Sequence, residues 1–272
     1  MDEIITYNML SIIIVNHNHR NYLKQCLKNI AEANINLDFE VIVIDNNSKD
    51  TSKKFLSELN MPSLKLRVIL NNKNYGFARA NNQGIKLAQG KYVLILNPDV
   101  IVLKDSVEKL YKFLEENNEA AMVGPKLLNP NGTIQYSSCQ FPCWYMPILR
   151  RTFLGKLPFL KKKLGRYLMS DWQHNETKEV DWLLGAALMI KKEVLEKINY
   201  FDERFFLYFE DTDLARRIWK FGKKVYYFPE AHMYHFHQRL SAERSTSPTL
   251  LSKITWIHIA SGIKYFWKWR GK

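Results

Sequence analysis

Three acidic residues fall within four positions at the end of an aromatic run. The run FFLYF at 205–209 leads directly into Glu210, Asp211 and Asp213. Carboxylates of like charge beside an apolar segment cost free energy unless they meet a cation or hold a proton. Such crowding raises a carboxylate pKa toward the working range of a general base, and we assign that role to Asp211. Helix capping is the alternative, for which Asp213 is equally suited, but three acids exceed what one cap requires.

Two further acids and a histidine follow apolar runs elsewhere in the chain. Asp45 ends the run EVIVID, Asp99 closes the turn Asn97-Pro98-Asp99, and His235 follows the run KKVYYFP. A carboxylate and a neutral imidazole together suit Mn²⁺ or Mg²⁺, so Asp99 and His235 are candidate ligands of one metal ion. The alternative is structural, because Asp and Asn commonly begin turns after strands and a histidine can fill a strand end.

The elements that would position these residues alternate along the N-terminal half. Short apolar runs predict four buried strands, at 10–15, 40–44, 65–70 and 91–96. Strands too apolar to be half-exposed imply a mostly parallel sheet that helices cover on both faces. Because ligands bind beyond the carboxyl ends of such strands, we expect Asn16, Asp45 and Asp99 around one crevice.

The C-terminal half has a different pattern. A predicted helix at 105–117 precedes a turn-rich stretch at 122–145. Farther along, FFLYF predicts an aromatic strand, and Asp213–Phe221 predicts a helix that ends at Gly222. With no internal repeat and no low-complexity linker, the two halves are expected to share one sheet.

The composition is that of a globular protein. The 272 residues are 46% hydrophobic and 13% aromatic, enough for a sizeable core, which excludes a disordered chain. No apolar run approaches the roughly 20 residues that cross a bilayer, and the N-terminus lacks the layout of a signal peptide, so a cytosolic protein is expected. The three cysteines predict reduced thiols rather than a zinc site or a disulfide framework.

The formal charge of +13 favours polyanionic partners and is concentrated in two segments. Residues 146–168 carry seven Arg or Lys and no acid, and residues 253–272 carry five with four aromatic residues among the last eight positions. Basic side chains interleaved with Trp and Phe suit a membrane headgroup interface. The alternative is a solvated basic face together with a helix that packs on the domain.

Seven motifs occur in an order typical of one enzyme family: SIIIVNHN, VIVIDNNSKD, NYGFARANNQGI, YVLILNPDV, VDWLLGAALMI, FDERFFLYFEDTDLARRIWKFG and FPEAHMYH. From about Leu10 to Ser241 the sequence resembles a family 2 glycosyltransferase of the GT-A type, within its rhamnosyltransferase-like branch. The resemblance implies a Rossmann-like α/β fold, with a mostly parallel mixed sheet flanked by helices and a basic, aromatic C-terminal helical segment.

The resemblance also implies a division of the chain. Residues 1–241 would form the GT-A domain, with a nucleotide-binding half at 10–120 and an acceptor and catalytic half at 121–241. A basic insertion would lie at 146–168. Residues 242–272 would be a basic amphipathic helical tail, for which membrane binding and packing on the domain both remain open.

Roles for the nucleotide and metal residues follow from their place in the motifs. Asp45 matches the acid that contacts the base or ribose. Asp99 matches the metal-binding acid, and Asn97 stands where many relatives have the first acid of an Asp-x-Asp motif. His235 matches a metal-ligand histidine, with His237 as the alternative. The remaining residues expected at the nucleotide are Asn16, Gly76 and Asn82.

In the second half, Asp211 matches the catalytic base. Glu210 would orient the acceptor or raise the pKa of Asp211 by repulsion. The donor-sugar and acceptor pocket is expected to include Trp182, Gly185, Ala186 and Asp213.

The implied activity is inverting sugar transfer from a nucleoside-diphosphate donor. A divalent cation, Mn²⁺ or Mg²⁺, would neutralise the leaving diphosphate while the base takes the proton of the attacking hydroxyl. We expect rhamnose from dTDP-rhamnose, a polysaccharide or lipid-linked acceptor in bacterial surface glycan synthesis, and an anionic membrane surface, without nucleic acid. The protein would lie in the cytoplasm, peripheral on the inner face of the cell membrane.

Three alternatives remain open at this stage. The first is transfer of another sugar, galactose, galactofuranose or N-acetylglucosamine, from a UDP donor. The second is a nucleotidyltransferase, against which stands the lack of a Gly-rich basic loop near the N-terminus. The third is a basic nucleic-acid-binding protein driven by the charge of +13, against which stands the acid cluster.

Overall fold

A central sheet organises the protein, whose computed structural model describes residues 10–151, 157–236 and 253–271. The strands in this part of the chain are β1 (Leu10–Asn16), β2 (Phe39–Asp45), β3 (Leu66–Leu70), β4 (Tyr92–Leu96), β5 (Val100–Val102), β6 (Ala120–Leu128), β7 (Ser138–Cys139), β8 (Lys178–Glu179), β9 (Trp182–Leu183), β10 (Ala187–Lys191) and β11 (Lys224–His235). The order across the main sheet is β3-β2-β1-β4-β10-β6-β11-β5, with β8 on β11. β7 and β9 form a separate pair.

Helices cover both faces of this sheet. They are α1 (Arg20–Glu32), α2 (Ser52–Ser57), α3 (Phe77–Leu87), α4 (Ser106–Glu116), α5 (Met146–Arg151), α6 (Pro158–Tyr167), α7 (Lys192–Lys197), α8 (Glu210–Lys220) and α9 (Lys253–Trp269). Side chains of a strand alternate between faces, so Ile13 of β1 packs toward α3 and α8, whereas Ile12 and Ile14 pack toward α1 and α4. Each such buried side chain stabilises the fold by about 1.5–3 kcal/mol.

The strand directions explain how distant residues meet. β1, β2, β3 and β4 are parallel, and in register Asn16 lies opposite Asp45 at the carboxyl ends. β10 runs antiparallel to β4 and pairs Ala187 with Leu96. The beginning of β10 therefore lies at the carboxyl end of β4, next to the Asn97-Pro98-Asp99 turn. The mixed α/β sheet flanked by helices confirms the expected fold class.

The third predicted strand is not buried as expected. β3 lies at the sheet edge and pairs only with β2 among the described strands, and Val68 and Leu70 are 37% and 49% exposed. An edge strand has one neighbour and partial helix cover, so apolar composition alone does not ensure burial.

The structure also revises the region before the acid cluster. The residues of FFLYF form bends and not a strand, and α8 begins at Glu210, three positions before its expected start. Its N-cap is Phe209, and no side chain caps the helix. Neither Asp211 nor Asp213 is therefore a capping residue. Both lie inside the first turn.

The basic insertion folds as α5 and α6, whose residues Met146, Leu149 and Tyr167 join the core. The tail helix α9 packs on the domain through Tyr265 and Trp269, which contact a cluster that includes Phe205 and Phe209. None of the helices in the described ranges is long and apolar enough to cross a membrane.

Candidate active site

The carboxyl ends of β1 and β2 form the first part of a polar crevice. Asn16 Nδ2 donates to Asp45 Oδ1 over 2.9 Å and to Ser48 Oγ over 3.1 Å, and the Ser48 amide donates to Asp45 Oδ2 over 3.0 Å. Asn16 and Asp45 are buried. The structure thus brings these two predicted residues together, and the hydrogen bonds fix the Asp45 carboxylate in one orientation.

Asn46 connects this crevice to the loop before α3, and the sequence analysis missed it. Its Nδ2 donates to Asn74 Oδ1 over 2.9 Å and to the Gly76 carbonyl over 3.2 Å. Its Oδ1 accepts from the Tyr75 amide over 3.0 Å and from Asn71 Nδ2 over 3.2 Å. A buried side chain amide with all its capacity used is a positioning element. The only hint in the sequence is its place next to Asp45.

Gly76 needs to be glycine for two reasons. Its φ is +83°, in the left-handed region, and a Cβ would overlap the carbonyl and ring of Phe206. The next amide, of Phe77, donates to the Phe206 carbonyl over 2.7 Å. This contact joins the N-terminal crevice to the loop that leads into the acid cluster.

Asn82 has a different environment from the expected one. Its Nδ2 donates to the Phe201 carbonyl over 2.9 Å, and its Oδ1 accepts from the Phe201 amide over 3.0 Å. Nδ2 also reaches Glu203 Oε1 at 3.1 Å. The buried amide is therefore occupied in holding the 199–205 loop, which supports the site indirectly.

Asp99 and His235 do meet, at the end of the strand pair β5 and β11. His235 Nε2 lies 3.4 Å from Asp99 Oδ1, and the Phe236 amide donates to the Asp99 carbonyl over 2.9 Å. Burial raises the pKa of Asp99, but the hydrogen bond and charge of His235 outweigh burial and hold the pKa below its usual value. His237 lies outside the described residues, so the alternative ligand has no structural description.

Gln135 sets the orientation of the His235 ring. His235 Nδ1 donates to Gln135 Oε1 over 2.6 Å, and this bond fixes the ring with Nε2 facing Asp99. An imidazole nitrogen and a carboxylate oxygen facing each other suit a divalent cation, whose remaining ligands a diphosphate can supply. The two residues fit such an ion, although no group of three or more His, Cys, Asp or Glu arranged for a metal occurs in the described ranges.

Two adjacent residues join the metal-candidate turn to the base candidate. The Asn97 amide donates to the Ala186 carbonyl over 2.8 Å, and the Gly185 amide donates to Asp211 Oδ2 over 3.0 Å. A Cβ on Gly185 would stand 3.5 Å from the Asp211 side chain. Residues 185–186 therefore hold the Asn97 turn and Asp211 at the same loop.

Asp211 is buried at the N-terminus of α8. Its Oδ1 accepts from the Thr212 amide over 2.7 Å and from Thr212 Oγ1 over 3.2 Å, in addition to the Gly185 bond at Oδ2. Burial raises the pKa of Asp211, and these hydrogen bonds to the ionised form offset part of the rise. The carboxylate is fixed in direction and has a raised proton affinity.

Glu210 is buried beside it, and its Oε2 has no hydrogen-bond partner within the described part of the chain. Burial, followed by repulsion from Asp211, raises the pKa of Glu210 well above its usual value. The pair therefore gives up its two protons in separate steps, as interacting carboxyl groups do. The raised pKa values of Glu210 and Asp211 agree with the expectation for crowded acids, although burial is the larger cause in both.

Asp213, expected in the pocket, belongs to the interface with α9. Its buried carboxylate accepts from Arg217 Nε over 2.9 Å, from Lys268 Nζ over 2.7 Å and from Trp269 Nε1 over 2.8 Å. Trp182 also has an internal partner, since its Nε1 donates to the Gln140 carbonyl over 2.8 Å. Long-range partners of this kind leave no signal in a single sequence.

The backbone before Glu210 is strained. Tyr208 and Phe209 have φ of +71° and +67°, although both carry large aromatic side chains. A non-glycine residue in the left-handed region costs about 1–3 kcal/mol and persists only where its surroundings impose it. Such a turn immediately before a buried acid pair is typical of a functional site.

These contacts form a continuous series around one crevice. It runs from Asn16 and Asp45 through Asn46 and Gly76 to Phe206 and the strained turn, and then from Asp211 through residues 185–186 to the Asn97 turn. An α/β sheet with polar side chains at the carboxyl ends of its strands is typical of proteins that bind a ligand there.

The family comparison agrees with this class. Residues 11–174 match the model of Glycosyl transferase family 2, and the chain belongs to that family. The similarity covers more than half of the chain, and it includes Asn16, Asp45 and the Asn97 turn.

Three curated relatives are similar over much of the chain. The low-salt glycan biosynthesis hexosyltransferase Agl10 of Haloferax volcanii is 29% identical over 212 residues, 76% of this chain and 61% of that protein. The rhamnosyltransferase WbbL of Escherichia coli K12 is 26% identical, over 84% of this chain and 83% of the relative. An N-acetylglucosaminyl-diphospho-decaprenol L-rhamnosyltransferase of Mycobacterium tuberculosis is 25% identical, over 96% and 87%. The chain thus spans less than two thirds of Agl10 and more of the two rhamnosyltransferases.

Two solved structures share the fold. The mannosyltransferase PcManGT of Pyrobaculum calidifontis, in complex with GDP-Man and Mn²⁺, has a TM-score of 0.60 and 19% identity over 86% of this chain and 58% of its own. GalNAc-T7 with UDP, GalNAc and Mn²⁺ has a TM-score of 0.68 and 16% identity over 96% and 48%. Both confirm the GT-A fold class.

Proposed function

We propose that the protein is an inverting glycosyltransferase that moves a sugar from a nucleoside-diphosphate donor to a hydroxyl acceptor. One observation carries the proposal. Adjacent residues Ala186 and Gly185 hold the Asn97 turn and the Asp211 carboxylate over 2.8 and 3.0 Å, which sets a base candidate beside the turn that bears Asp99. A base held beside the turn that would bind the leaving diphosphate supports direct displacement.

In this mechanism Asp211 takes the proton of the acceptor hydroxyl as that oxygen attacks the anomeric carbon. The raised pKa from burial strengthens Asp211 as a proton acceptor, while the Gly185 and Thr212 bonds keep its direction. Burial and repulsion from Asp211 also raise the pKa of Glu210, which disfavours ionisation of both buried carboxyl groups at once. Attack from the face opposite the leaving group inverts the anomeric configuration without a protein nucleophile.

Asp99 and His235 are the residues that would hold a divalent cation, Mn²⁺ or Mg²⁺. The ion would neutralise the growing charge of the departing diphosphate. Gln135 fixes the His235 ring so that Nε2 and the Asp99 carboxylate face one another at 3.4 Å. Both solved relatives named above contain Mn²⁺, which supports this assignment.

For the donor we propose dTDP-rhamnose, because two of the relatives are named as rhamnosyltransferases. The alternative is a UDP-sugar, supported by the UDP in the GalNAc-T7 structure. For the acceptor we propose a lipid-linked glycan or polysaccharide of bacterial surface synthesis, since the mycobacterial relative is named for a diphospho-decaprenol substrate.

We place the protein at the cytoplasmic face of the cell membrane. The outward face of α9 presents Trp256, Ile259 and Ile263, spaced on one side of the helix, and all three are exposed. The helix contains basic residues and no acid, which suits an anionic bilayer. Sedimentation with anionic but not neutral vesicles, lost in Trp256→Ser with Ile263→Ser, is the expected result. Equal sedimentation of the double variant would refute the assignment of this face.

The test of the activity is release of nucleoside diphosphate with Mn²⁺ or Mg²⁺ across dTDP-rhamnose, UDP-galactose, UDP-N-acetylglucosamine, UDP-glucose and GDP-mannose. Wild type and Asp211→Asn are compared in parallel. We expect turnover of one donor in the wild type and none in the variant, with nucleotide binding by calorimetry unchanged. No binding of any donor or nucleotide would overturn the proposed function, and residual turnover with lost binding would overturn the role of Asp211.

A further inference from the structure

The strained turn before Glu210 lies in contact with the C-terminal helix α9. Ser261 Oγ donates to the Leu207 carbonyl over 2.9 Å. Gly262 lets the helix approach closely, since a Cβ there would stand 3.3 Å from the Phe209 ring. The Tyr265 ring lies 5.2 Å from the Phe209 ring, centroid to centroid. The apolar side of α9 therefore covers the two residues whose backbone is in the left-handed region.

His258, near the N-terminal end of α9, also contacts both residues of the strained turn. Its ring centroid lies 4.8 Å from that of Tyr208 and 5.3 Å from that of Phe209. Two consecutive aromatic residues with positive φ require surroundings that impose the conformation. Within the described chain, α9 supplies most of the aromatic contacts of Phe209, through Tyr265, Phe266 and His258.

Polar contacts hold the helix turn immediately after Glu210 and Asp211. Lys268 Nζ and Trp269 Nε1 of α9 bond to the buried Asp213 carboxylate over 2.7 and 2.8 Å. Lys268 also reaches Asp202 Oδ2 at 2.8 Å. Asp213 lies two residues after Asp211 in the first turn of α8. The hydrogen bonds that its buried carboxylate accepts are charge-assisted.

We propose that α9 is a clamp that positions Asp211. It holds the chain immediately before the acid pair through Phe209 and immediately after it through Asp213, while Asp211 itself points to Gly185. The inference rests on the proposed function for its effect on catalysis, but the geometric claim stands on these contacts alone. Lys268 and Trp269 are positioning residues, since they act through Asp213 and the α8 turn.

The expected consequence is a loss of turnover without a loss of donor binding. The nucleotide crevice is built from the carboxyl ends of β1 and β2 and from the loop before α3, none of which contacts Lys268 or Trp269 in the bonds described. Misplacement of a reacting group by about 1 Å lowers a rate by up to about 100-fold. Release of the clamp should therefore lower kcat and leave KM for the donor unchanged.

The experiment uses Trp269→Phe, which removes the Nε1 donor and keeps an aromatic ring. Trp267→Phe is the matched control, because Trp267 lies on the same helix, is 66% exposed and stacks on Arg270. Lys268→Met removes the charge at Asp213, and Lys268→Arg is the conservative replacement. All are made in the full chain and assayed without membranes.

The first readout does not depend on activity. Amide hydrogen exchange at Gly185 reports the bond to Asp211, and we expect exchange about tenfold faster in Trp269→Phe and Lys268→Met than in Trp267→Phe. Unchanged exchange at Gly185 in both clamp variants would overturn the proposal whether or not the protein is a glycosyltransferase.

The second readout is kinetic. We expect kcat to fall about 10- to 100-fold in both clamp variants with donor KM unchanged, and Lys268→Arg to recover most of the rate. A kcat equal to that of Trp267→Phe, or a parallel loss of donor affinity, would refute the clamp. Asp211→Asn in the same assay separates the clamp role of α9 from the base role of Asp211. An inactive Asp211→Asn together with fully active clamp variants would refute the clamp alone. An active Asp211→Asn would refute the assignment of Asp211 as the base.

Discussion

The two sides of the crevice are built in opposite ways. At the ends of β1 and β2, neutral amides and one carboxylate, Asn16, Asp45 and Asn46, bond to each other and to nearby backbone groups. At the start of α8, two buried carboxyl groups follow a strained turn and depend on Gly185 and on α9. The first side is a connected polar network in which the buried Asn16 Oδ1 alone among these three side chains has no partner in the described residues, and such a network favours rigid ligand binding. The second holds raised pKa values and strain, which favour chemistry.

The largest expected difference concerns two aspartates of one helix turn. Asp211→Asn should lower kcat by about 10³-fold or more, which leaves no measurable turnover, and should leave stability nearly unchanged. Asp213→Asn should instead lower the free energy of unfolding by about 3 kcal/mol, because Arg217 loses its carboxylate partner and Lys268 keeps only Asp202 in a largely buried site. Steady-state kinetics and urea unfolding of both variants provide the measurement. An Asp213→Asn variant as stable as the wild type would show that the Asp213 carboxylate is not a structural contact of α9.

On the opposite side, Asn46→Ala should lower the free energy of unfolding by about 3 kcal/mol, since the Tyr75 amide, Asn71 and Asn74 lose a shared buried partner. Nucleotide binding should weaken with it. Asn72→Ala, at an exposed position of the same loop, is the control and should stay within about 0.5 kcal/mol of wild type. Denaturant unfolding and calorimetry measure the two effects. Wild-type stability of Asn46→Ala would show that the crevice does not depend on this network.

A smaller effect is expected from the support of the metal candidate. Gln135→Leu removes the acceptor that orients His235 and should weaken Mn²⁺ binding about tenfold, as loss of such support commonly does. Mn²⁺ titration followed by electron paramagnetic resonance measures it. Gln140→Leu, an exposed glutamine, should leave affinity unchanged. Equal affinity in both variants would remove Gln135 from the site.

The smallest effect concerns pH and stability. Burial raises the folded-state pKa of Glu210 above its unfolded value, so the folded protein binds the proton more tightly. The contribution of this proton to the free energy of unfolding is complete below the unfolded-state pKa of about 4.3. It is lost as pH rises through the folded-state pKa. Glu210→Gln should therefore raise Tm near pH 8 by about 2–4 °C for each kcal/mol recovered, and the gain should vanish near pH 4. Thermal scans across this range test it, and a gain independent of pH would contradict the assignment.

Part of this arrangement was predictable from the sequence. The strands β1, β2 and β4 have apolar runs ended by Asn16, Asp45 and the Asn97 turn, and the parallel topology places such ends together. The pairing of Asp99 with His235 was also expected, and the structure sets them 3.4 Å apart. Apolar runs located β1, β2 and β4 correctly, so the residues that end these strands are the ones that the sequence locates best.

The sequence by itself determined the parallel strands β1, β2 and β4, the family motifs and the identity of the acid pair. Only the tertiary structure decided what each acid does, because Asp211 and Asp213 are equivalent in local sequence but point to Gly185 and to α9. The same holds for β3, whose exposure follows from its edge position, and for the α9 tail, whose inner face packs on the domain. Burial, strain and hydrogen-bond partners depend on contacts between residues far apart in the chain. The composition and spacing of a local segment therefore do not reveal them.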